Sequence, residues 1–436
     1  QKKLAFGQSF TTVPAVAAFY HGKPEEGFQA LTAYRRKRKI VKELPVIFND
    51  YMNCLMGDST TERLRPYIKL AAQVGCEIFV VDCGWYDTGD WQYTFGTFEE
   101  CFDRYPGGLG EVMEEIHANG MKAGLWLELE SFGIRNTKAE SLPKDWLFMC
   151  HGKPVTDSGR YHLDFRNPQV RENASAIVKR VVEKYGLSYL KIDYNLCLCW
   201  GTDYNSDSPG DGLLAHNRAY LNWLEEEMKK YPDVIWENCG SGGLRMDYAL
   251  LSRMDIQSVS DQEDYRIMAM IAANCACGVL PEQAGIWAYP RQEGDMDETA
   301  MNMVSAMPFR IHLGGHLTEL SRERFGLVRE AIACYKEIRA DIRSSVPYWP
   351  LGLHSFDAGW LCFGLRSEAR IYLSIIRRHD KRETLHIPME NSFSNVRLLY
   401  PRVTDGEVCF TDKENRILQV NLPRQNMGCF VMLDFA

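Results

Sequence analysis

From Leu44 onward the chain alternates short apolar runs with longer amphipathic ones, and this alternation constrains the fold more than any other feature. Val46-Ile47-Phe48-Asn49-Asp50 is the first short run, and a helical pattern over Thr61–Val74, ended by Gly75, follows it. Further short runs are Glu77–Trp85, Lys122–Glu130, Tyr189–Tyr194, Val234–Asn238 and Asp255–Asp261, with Gly278–Pro281 and Arg310–Leu313 as the seventh and eighth. Helical patterns over Leu109–Asn119, Arg171–Tyr185 and His216–Tyr231, and one after Leu244, separate them. Strands joined by helices must run parallel, and eight such units predict an α/β fold, a (β/α)8 TIM-like barrel. A doubly wound open sheet would want a glycine-rich first turn, and Phe48-Asn49-Asp50-Tyr51 is not one.

The flanks read differently. Residues 1–43 hold a strand-like run, Phe10–Phe19, and an amphipathic stretch, Glu25–Lys39. They read as the end of an N-terminal β-sandwich domain plus a linker helix. Residues 44–344 are the expected barrel. In residues 345–436 short runs such as Trp360–Gly364, Ala369–Ser374 and Val396–Tyr400 are separated by turns, which predicts a C-terminal antiparallel all-β domain of sandwich type.

Composition excludes several function classes. A formal net charge of −8 argues against nucleic-acid binding, which needs a basic face. No stretch is long and apolar enough to predict a membrane span. The 14 cysteines are scattered, often within apolar runs, so they read as small core residues in a reducing cytoplasm rather than as a disulfide framework. The chain starts at Gln1, so a removed leader stays open. His312 and His316 flank Leu-Gly-Gly, which is not a helix, and no further ligand is placed to complete a set. No metal and no cofactor is expected.

In such a barrel the active site lies at the C-terminal ends of the strands. The residues there are Asn49, Asp50, Asp82, Glu128, Glu130, Asp193, Glu237, Asn238 and Asp261, a carboxylate-rich ring suited to binding hydroxyl groups. In Tyr189-Leu190-Lys191-Ile192-Asp193-Tyr194-Asn195, period two puts Lys191 and Asp193 on one face. An ammonium there would keep Asp193 ionised, as a glycosidase nucleophile requires; the same pair also reads as a structural ion pair. Asp82-Cys83-Gly84-Trp85 offers a hydroxyl acceptor and a stacking ring, or a capping Asp and a packed Trp. Trp126 reads as an aromatic wall or as barrel filling. Glu237-Asn238-Cys239-Gly240-Ser241-Gly242-Gly243 lets a ligand approach the backbone, or cradles a phosphate. Asp261 is the natural partner of Asp193, with Glu263 and Asp264, further into the loop, competing for the acid role; carboxyls about 5 Å apart give retention and about 6.5–9.5 Å apart inversion.

Together these motifs carry a resemblance. FVVDCGW, GLWLELE, YLKIDYN, ENCGSGG-LRMD and SDQEDY stand in the order and at the spacing of the family 36 glycoside hydrolases, the bacterial α-galactosidase and α-N-acetylgalactosaminidase group. The resemblance implies a retaining exo-α-glycosidase acting on terminal α-linked galactose, or on N-acetylgalactosamine or galactosamine. A transglycosylase or a non-catalytic sugar binder is the more distant alternative. It implies a carbohydrate partner, allows a homo-oligomer, and needs no metal or cofactor. On the matching positions Asp193 is the nucleophile and Asp261 the general acid/base. Asp82, Cys83, Trp85, Trp126, Lys191, Asn195, Cys239 and Gly242 line the sugar pocket. The family pattern has two adjacent aspartates before Gly-Trp, reading the sugar's O4 and O6. Here the second is Cys83, so one charged acceptor is lost. The family's tryptophan-rich loop after the first strand is replaced by Asn53–Asp58, and its large N-terminal β-sandwich is almost absent.

Overall fold

The computed structural model describes residues 1–41, 43–196, 200–412 and 416–436. Eight strands close a parallel barrel: β1 Ile47–Asn49, β2 Ile78–Val81, β3 Lys122–Leu127, β4 Tyr189–Ile192, β5 Ile235–Asn238, β6 Ile256–Ser258, β7 Ala284–Ala288 and β8 Arg310–Leu313. Each pairs with its sequence neighbours, and β1 pairs with β8 through Ile47↔His312 and Phe48↔Leu313 to close the ring. The helices begin and end where local chemistry says they should. The helix α2, Thr61–Val74, starts where the Thr60 hydroxyl accepts from the Arg63 N–H and stops at left-handed Gly75. The helix α4, Pro168–Tyr185, has the Asn167 side chain as its cap, Pro168 in its first turn and left-handed Gly186 at its end.

The strands sort their side chains by period two. Ile47, Ile78, Val80, Tyr189 and Ile256 pack on one another in one small cluster, with Ile235 against it. Their alternate neighbours Phe48, Phe79, Val81, Leu190 and Ile192 belong to the large core shared with the helices. Continuing the first series toward the strand ends replaces apolar residues by polar ones: Asn49 after Ile47, Asp82 after Val80, Lys191 and Asp193 after Tyr189, Glu237 after Ile235, Ser258 after Ile256. All are buried. The same alternation that closes the barrel therefore delivers its polar groups to one end.

Three expectations need correction. The seventh strand is Ala284–Ala288, not Gly278–Pro281. The earlier run is an apolar turn whose Pro281 has no N–H to give a ladder. The true strand reads poorly because it holds two alanines and a glycine; a Cβ on Gly285 would lie 2.5 Å from the buried His312 ring. Phe10–Phe19 belongs to no helix or strand, because nothing pairs with it. Between β3 and α4 the chain makes an unforeseen excursion with short strands Ser131–Gly133, Thr156–Asp157 and Arg160–His162 in one small sheet.

The helix Pro24–Arg38 is tied to the barrel's N-terminal side by Arg36–Glu282 at 2.7 Å and Lys39–Asp255 at 2.7 Å. After the barrel come two antiparallel sheets. One has five strands: Val346–Tyr348, Trp360–Arg366, Arg370–Arg377, Met427–Phe435 and Phe393–Tyr400. The other has three: Thr384–Pro388, Ile417–Asn421 and Glu407–Asp412. Cys362, Leu373, Ile375, Leu418, Val420 and Val431 fill the space between them. The larger sheet lies on the barrel through the stacked Phe309–Phe363 pair and the Ser374 hydroxyl, which donates to the Val304 carbonyl at 2.9 Å. Among the described residues no helix is long and apolar enough to cross a membrane.

Replacing Gly285 by Ala forces the His312 ring aside in a filled barrel. We expect a loss of about 1–3 kcal/mol, read as a lower thermal midpoint with unchanged far-ultraviolet circular dichroism. An unchanged midpoint would show that the ring can move freely.

Candidate active site

At the C-terminal end of the strands a cavity of about 290 Å³ opens. Its wall is made by Tyr51 after β1, Asp82 and Cys83 after β2, Trp126 on β3, Lys191 and Asp193 on and after β4, Asn195, Ser241 after β5, and Asp261 after β6. Trp91 and Gln92 of a short helix, and Ser158 and Arg160 of the excursion, complete it.

Asp193 is 6% exposed and held by two donors. The Trp126 Nε1–H donates to its Oδ2 at 2.9 Å, and the Tyr194 N–H donates to its Oδ1 at 2.8 Å. One carboxylate face is therefore anchored while the group still borders the cavity. Asp261 borders the same cavity, as does Asp82. The Asp261 Oδ1 and the Trp287 Nε1–H are both buried, and the indole N–H is the donor that favours the ionised carboxylate. Burial pushes the Asp261 carboxyl up to about 6, with Asp193 and Asp82 adding to the rise and Lys191 opposing it.

Lys191 was expected beside Asp193, and its direct partner is instead Asp82, at 2.9 Å between Nζ and Oδ2. Both side chains are almost fully buried. The same Oδ2 accepts from Asn49 Nδ2 at 2.6 Å, and Oδ1 accepts from the Cys83 N–H at 2.9 Å. Burial disfavours the charge on Lys191, but Asp82 first, then Cys239, Glu237 and Asp193, overcome it, so its pKa stands well above the ordinary lysine value. Behind Asp82, Asp50 accepts from the Asp82 N–H at 2.7 Å. Burial and the Asp82 charge push the Asp50 carboxyl up to about 8, so at neutral pH it is largely uncharged. Burial likewise lifts Glu237 to about 7, against the pull of Lys191 and the Tyr189 hydroxyl.

The remaining expected residues divide. Asn195 lines the cavity and bridges two strand ends: its Nδ2 donates to Glu128 Oε2 at 2.8 Å, and its Oδ1 accepts from the Ser241 N–H at 2.8 Å. Cys83 lines it too, and burial together with Asp82 raises its thiol well above the usual value, so it stays neutral. Trp85, Cys239 and Gly242 stand behind the wall. Trp85 is fully buried, and its Nε1–H donates to the Trp126 carbonyl at 3.1 Å. Cys239 Sγ accepts from the Gly242 N–H at 3.4 Å. Gly242 has φ +75°, and a Cβ on it would lie 2.5 Å from the Asp261 N–H. Its lack of a side chain lets the two loops touch behind Asp261.

The phosphate-cradle reading of this loop fails. The Gly240 N–H goes to the Gly242 carbonyl, the Ser241 N–H to Asn195 and the Gly242 N–H to Cys239, so these donors are taken. Glu130, His162 and His216 lie within metal-ligand reach of one another, but the Arg245 guanidinium takes both Glu130 oxygens.

Sequence reading missed Tyr51, Trp91, Gln92, Ser158, Arg160 and Ser241. Tyr51 and Ser241 adjoin residues already named at strand ends and were within reach of the same argument. Ser158 and Arg160 come from an excursion without helix or strand periodicity. Arg160 is 7% exposed and sits 3.3 Å from Glu128 through Nε, outside hydrogen-bond geometry.

Residues 10–344 match the family described as Melibiase. Among curated proteins, Alpha-galactosidase Mel36A of Lactobacillus acidophilus is 28% identical over 255 residues, 56% of this chain and 34% of that protein. Alpha-galactosidase 1 of Pediococcus pentosaceus is 25% identical over 351 residues, 77% of this chain and 47% of that protein. The chain thus spans about half or less of the length of these relatives. Among solved structures, the family 36 α-galactosidase AgaA of Geobacillus stearothermophilus superposes with a TM-score of 0.79 at 17% identity, covering 94% of this chain and 59% of that one.

Lys191→Met would leave the buried Asp82 charge without its partner. We expect it to cost about 3–5 kcal/mol, seen as a lower thermal midpoint, with part of the loss recovered in the double variant Asp82→Asn/Lys191→Met. Strict additivity of the two changes would show that the pair is not coupled.

Proposed function

This chain belongs to the melibiase family, and from that premise we propose that it is a retaining exo-α-glycosidase of the α-galactosidase type. The observation that carries the reading is that Asp193 and Asp261 both border one cavity while differing in environment. Asp193 is anchored by Trp126 and Tyr194, whereas Asp261 is desolvated and pushed up to about 6. A fixed carboxylate beside a carboxyl that holds its proton up to about pH 6 is the division of labour that glycoside hydrolysis needs.

In the first step a carboxylate oxygen of Asp193 attacks the anomeric carbon. The bond to the leaving oxygen breaks, and Asp261 gives that oxygen its proton. In the second step Asp261 takes a proton from water, the water oxygen attacks the same carbon, and Asp193 is released. Trp126 has two tasks: its N–H holds Asp193, and its ring offers an apolar face to the sugar. Arg160, Asn195 and Ser241 supply further polar contacts. Variants of the family 36 α-galactosidase AgaA solved with raffinose and with stachyose support a galactose-terminated oligosaccharide as the substrate class.

The acetamido reading, which rested on room beside the loop after β5 if that loop faces the 2-position, draws no support from the space around its glycines. The missing side chains of Gly240, Gly242 and Gly243 are replaced by the Tyr194 carbonyl, the Ser260–Asp261 backbone and the Val259 carbonyl. A reducing compartment, the cytoplasm, remains our placement, supported by the described cysteines all being free.

Asp193→Ala should abolish turnover of aryl α-glycosides with an unchanged melting curve, and an active variant would end the assignment. Asp261→Asn should lower kcat/KM by about 10²–10⁴-fold. The first step needs Asp261 protonated, so kcat/KM should fall as pH rises through about 6, approaching tenfold per unit. Retention is checked by nuclear magnetic resonance: the first-formed sugar should be the α-anomer, and a β-anomer would mean inversion.

A further inference from the structure

We propose that Cys83 selects the terminal sugar, and that the pocket is built for a galacto-configured pyranose lacking the 6-hydroxyl, one bearing hydrogen or methyl where galactose bears a hydroxymethyl group. This deepens the glycosidase reading and rests on it.

The placement of the sugar follows from the two carboxyls. Asp193 and Asp261 leave the barrel after β4 and β6, so the anomeric carbon lies on that side. The far end of a pyranose, carbon 4 and the substituent on carbon 5, then faces the opposite wall. That wall is Tyr51, Asp82, Cys83 and Trp91.

Counting acceptors on this wall is informative. A carboxylate offers about four lone-pair sites. On Asp82, Oδ2 already accepts from Lys191 and Asn49, and Oδ1 accepts from the Cys83 N–H. One site remains, enough for one sugar hydroxyl. Asp50 lies behind and is directed to the Asp82 backbone. Cys83, 3% exposed, contributes a neutral thiol, which is a weak acceptor. Tyr51 and Trp91 pack edge to face at 89° with centroids 6.1 Å apart, and burial keeps the Tyr51 hydroxyl, beside Cys83 and Asp82, neutral. The far wall therefore offers one charged acceptor site and beyond it only neutral groups, the Cys83 thiol and the Tyr51 hydroxyl. A hydroxymethyl group pressed against Cys83 would bury a hydroxyl without a strong acceptor, whereas a hydrogen or methyl there would make ordinary dispersion contact.

The test uses the protein as it stands and two aryl glycosides of the same ring configuration: 4-nitrophenyl α-D-galactopyranoside and 4-nitrophenyl β-L-arabinopyranoside, which is the same ring without carbon 6. We expect kcat/KM to favour the arabinoside by about tenfold or more. Cys83→Asp should move the ratio toward the galactoside. Cys83→Ser, which adds a hydroxyl at nearly constant volume, should narrow the ratio and serves if the aspartate variant does not fold. Both glycosides turned over with the galactoside preferred would overturn this inference and leave the glycosidase reading intact. A ratio unmoved by either substitution would do the same. Turnover of neither, together with no calorimetric binding of L-arabinose or D-galactose, would overturn both.

Discussion

The buried contact between Lys191 and Asp82 is what the rest of the site depends on. Two opposite charges sit inside the mouth of the barrel, and neither is stable there alone. Asp82 also takes hydrogen bonds from Asn49 and from the Cys83 backbone, so β1, β2 and β4 are tied by one carboxylate. Two strands from Lys191 across the mouth, Asp261 keeps its proton to higher pH than an ordinary aspartate because burial and two neighbouring carboxylates outweigh the ammonium. The pair therefore does more than hold the barrel end together. Its two charges act on Asp261 in opposite senses, Asp82 raising and Lys191 lowering its pKa.

Much of this was readable from the chain, for a physical reason. A strand buried on both faces must be apolar along its length, so a run that ends in Lys-Ile-Asp declares where burial gives way to chemistry. Asp193, Asp261, Asp82 and Trp126 could each be found from their position at a strand end, and the structure brings all four to one cavity. What could not be read was contact across the barrel. Lys191 and Asp193 are two residues apart on one face, which invites pairing them, yet the nearer partner comes from β2, with β3 between. Radial contacts of this kind leave no trace in local periodicity.

The other misses have equally particular causes. The strand Ala284–Ala288 is made of small residues because the His312 ring occupies the space beside Gly285, so its composition hides it. Trp85 looked like a stacking residue and is instead the prop behind Trp126. Gly242 looked like room for a ligand and is instead the place where two loops touch beneath Asp261. In the last two cases the residue type was read correctly as special, and its beneficiary was another residue.

The excursion between β3 and α4 places Ser158 and Arg160 on the cavity although no barrel strand carries them. One side of the pocket is thus furnished by a segment that closes no part of the ring. Insertions or deletions in that segment can change what reaches the cavity while every barrel strand stays as it is. Recognition and scaffold can therefore drift at different speeds, and a lineage of such proteins could change what its pocket admits by rewriting some forty residues and nothing else.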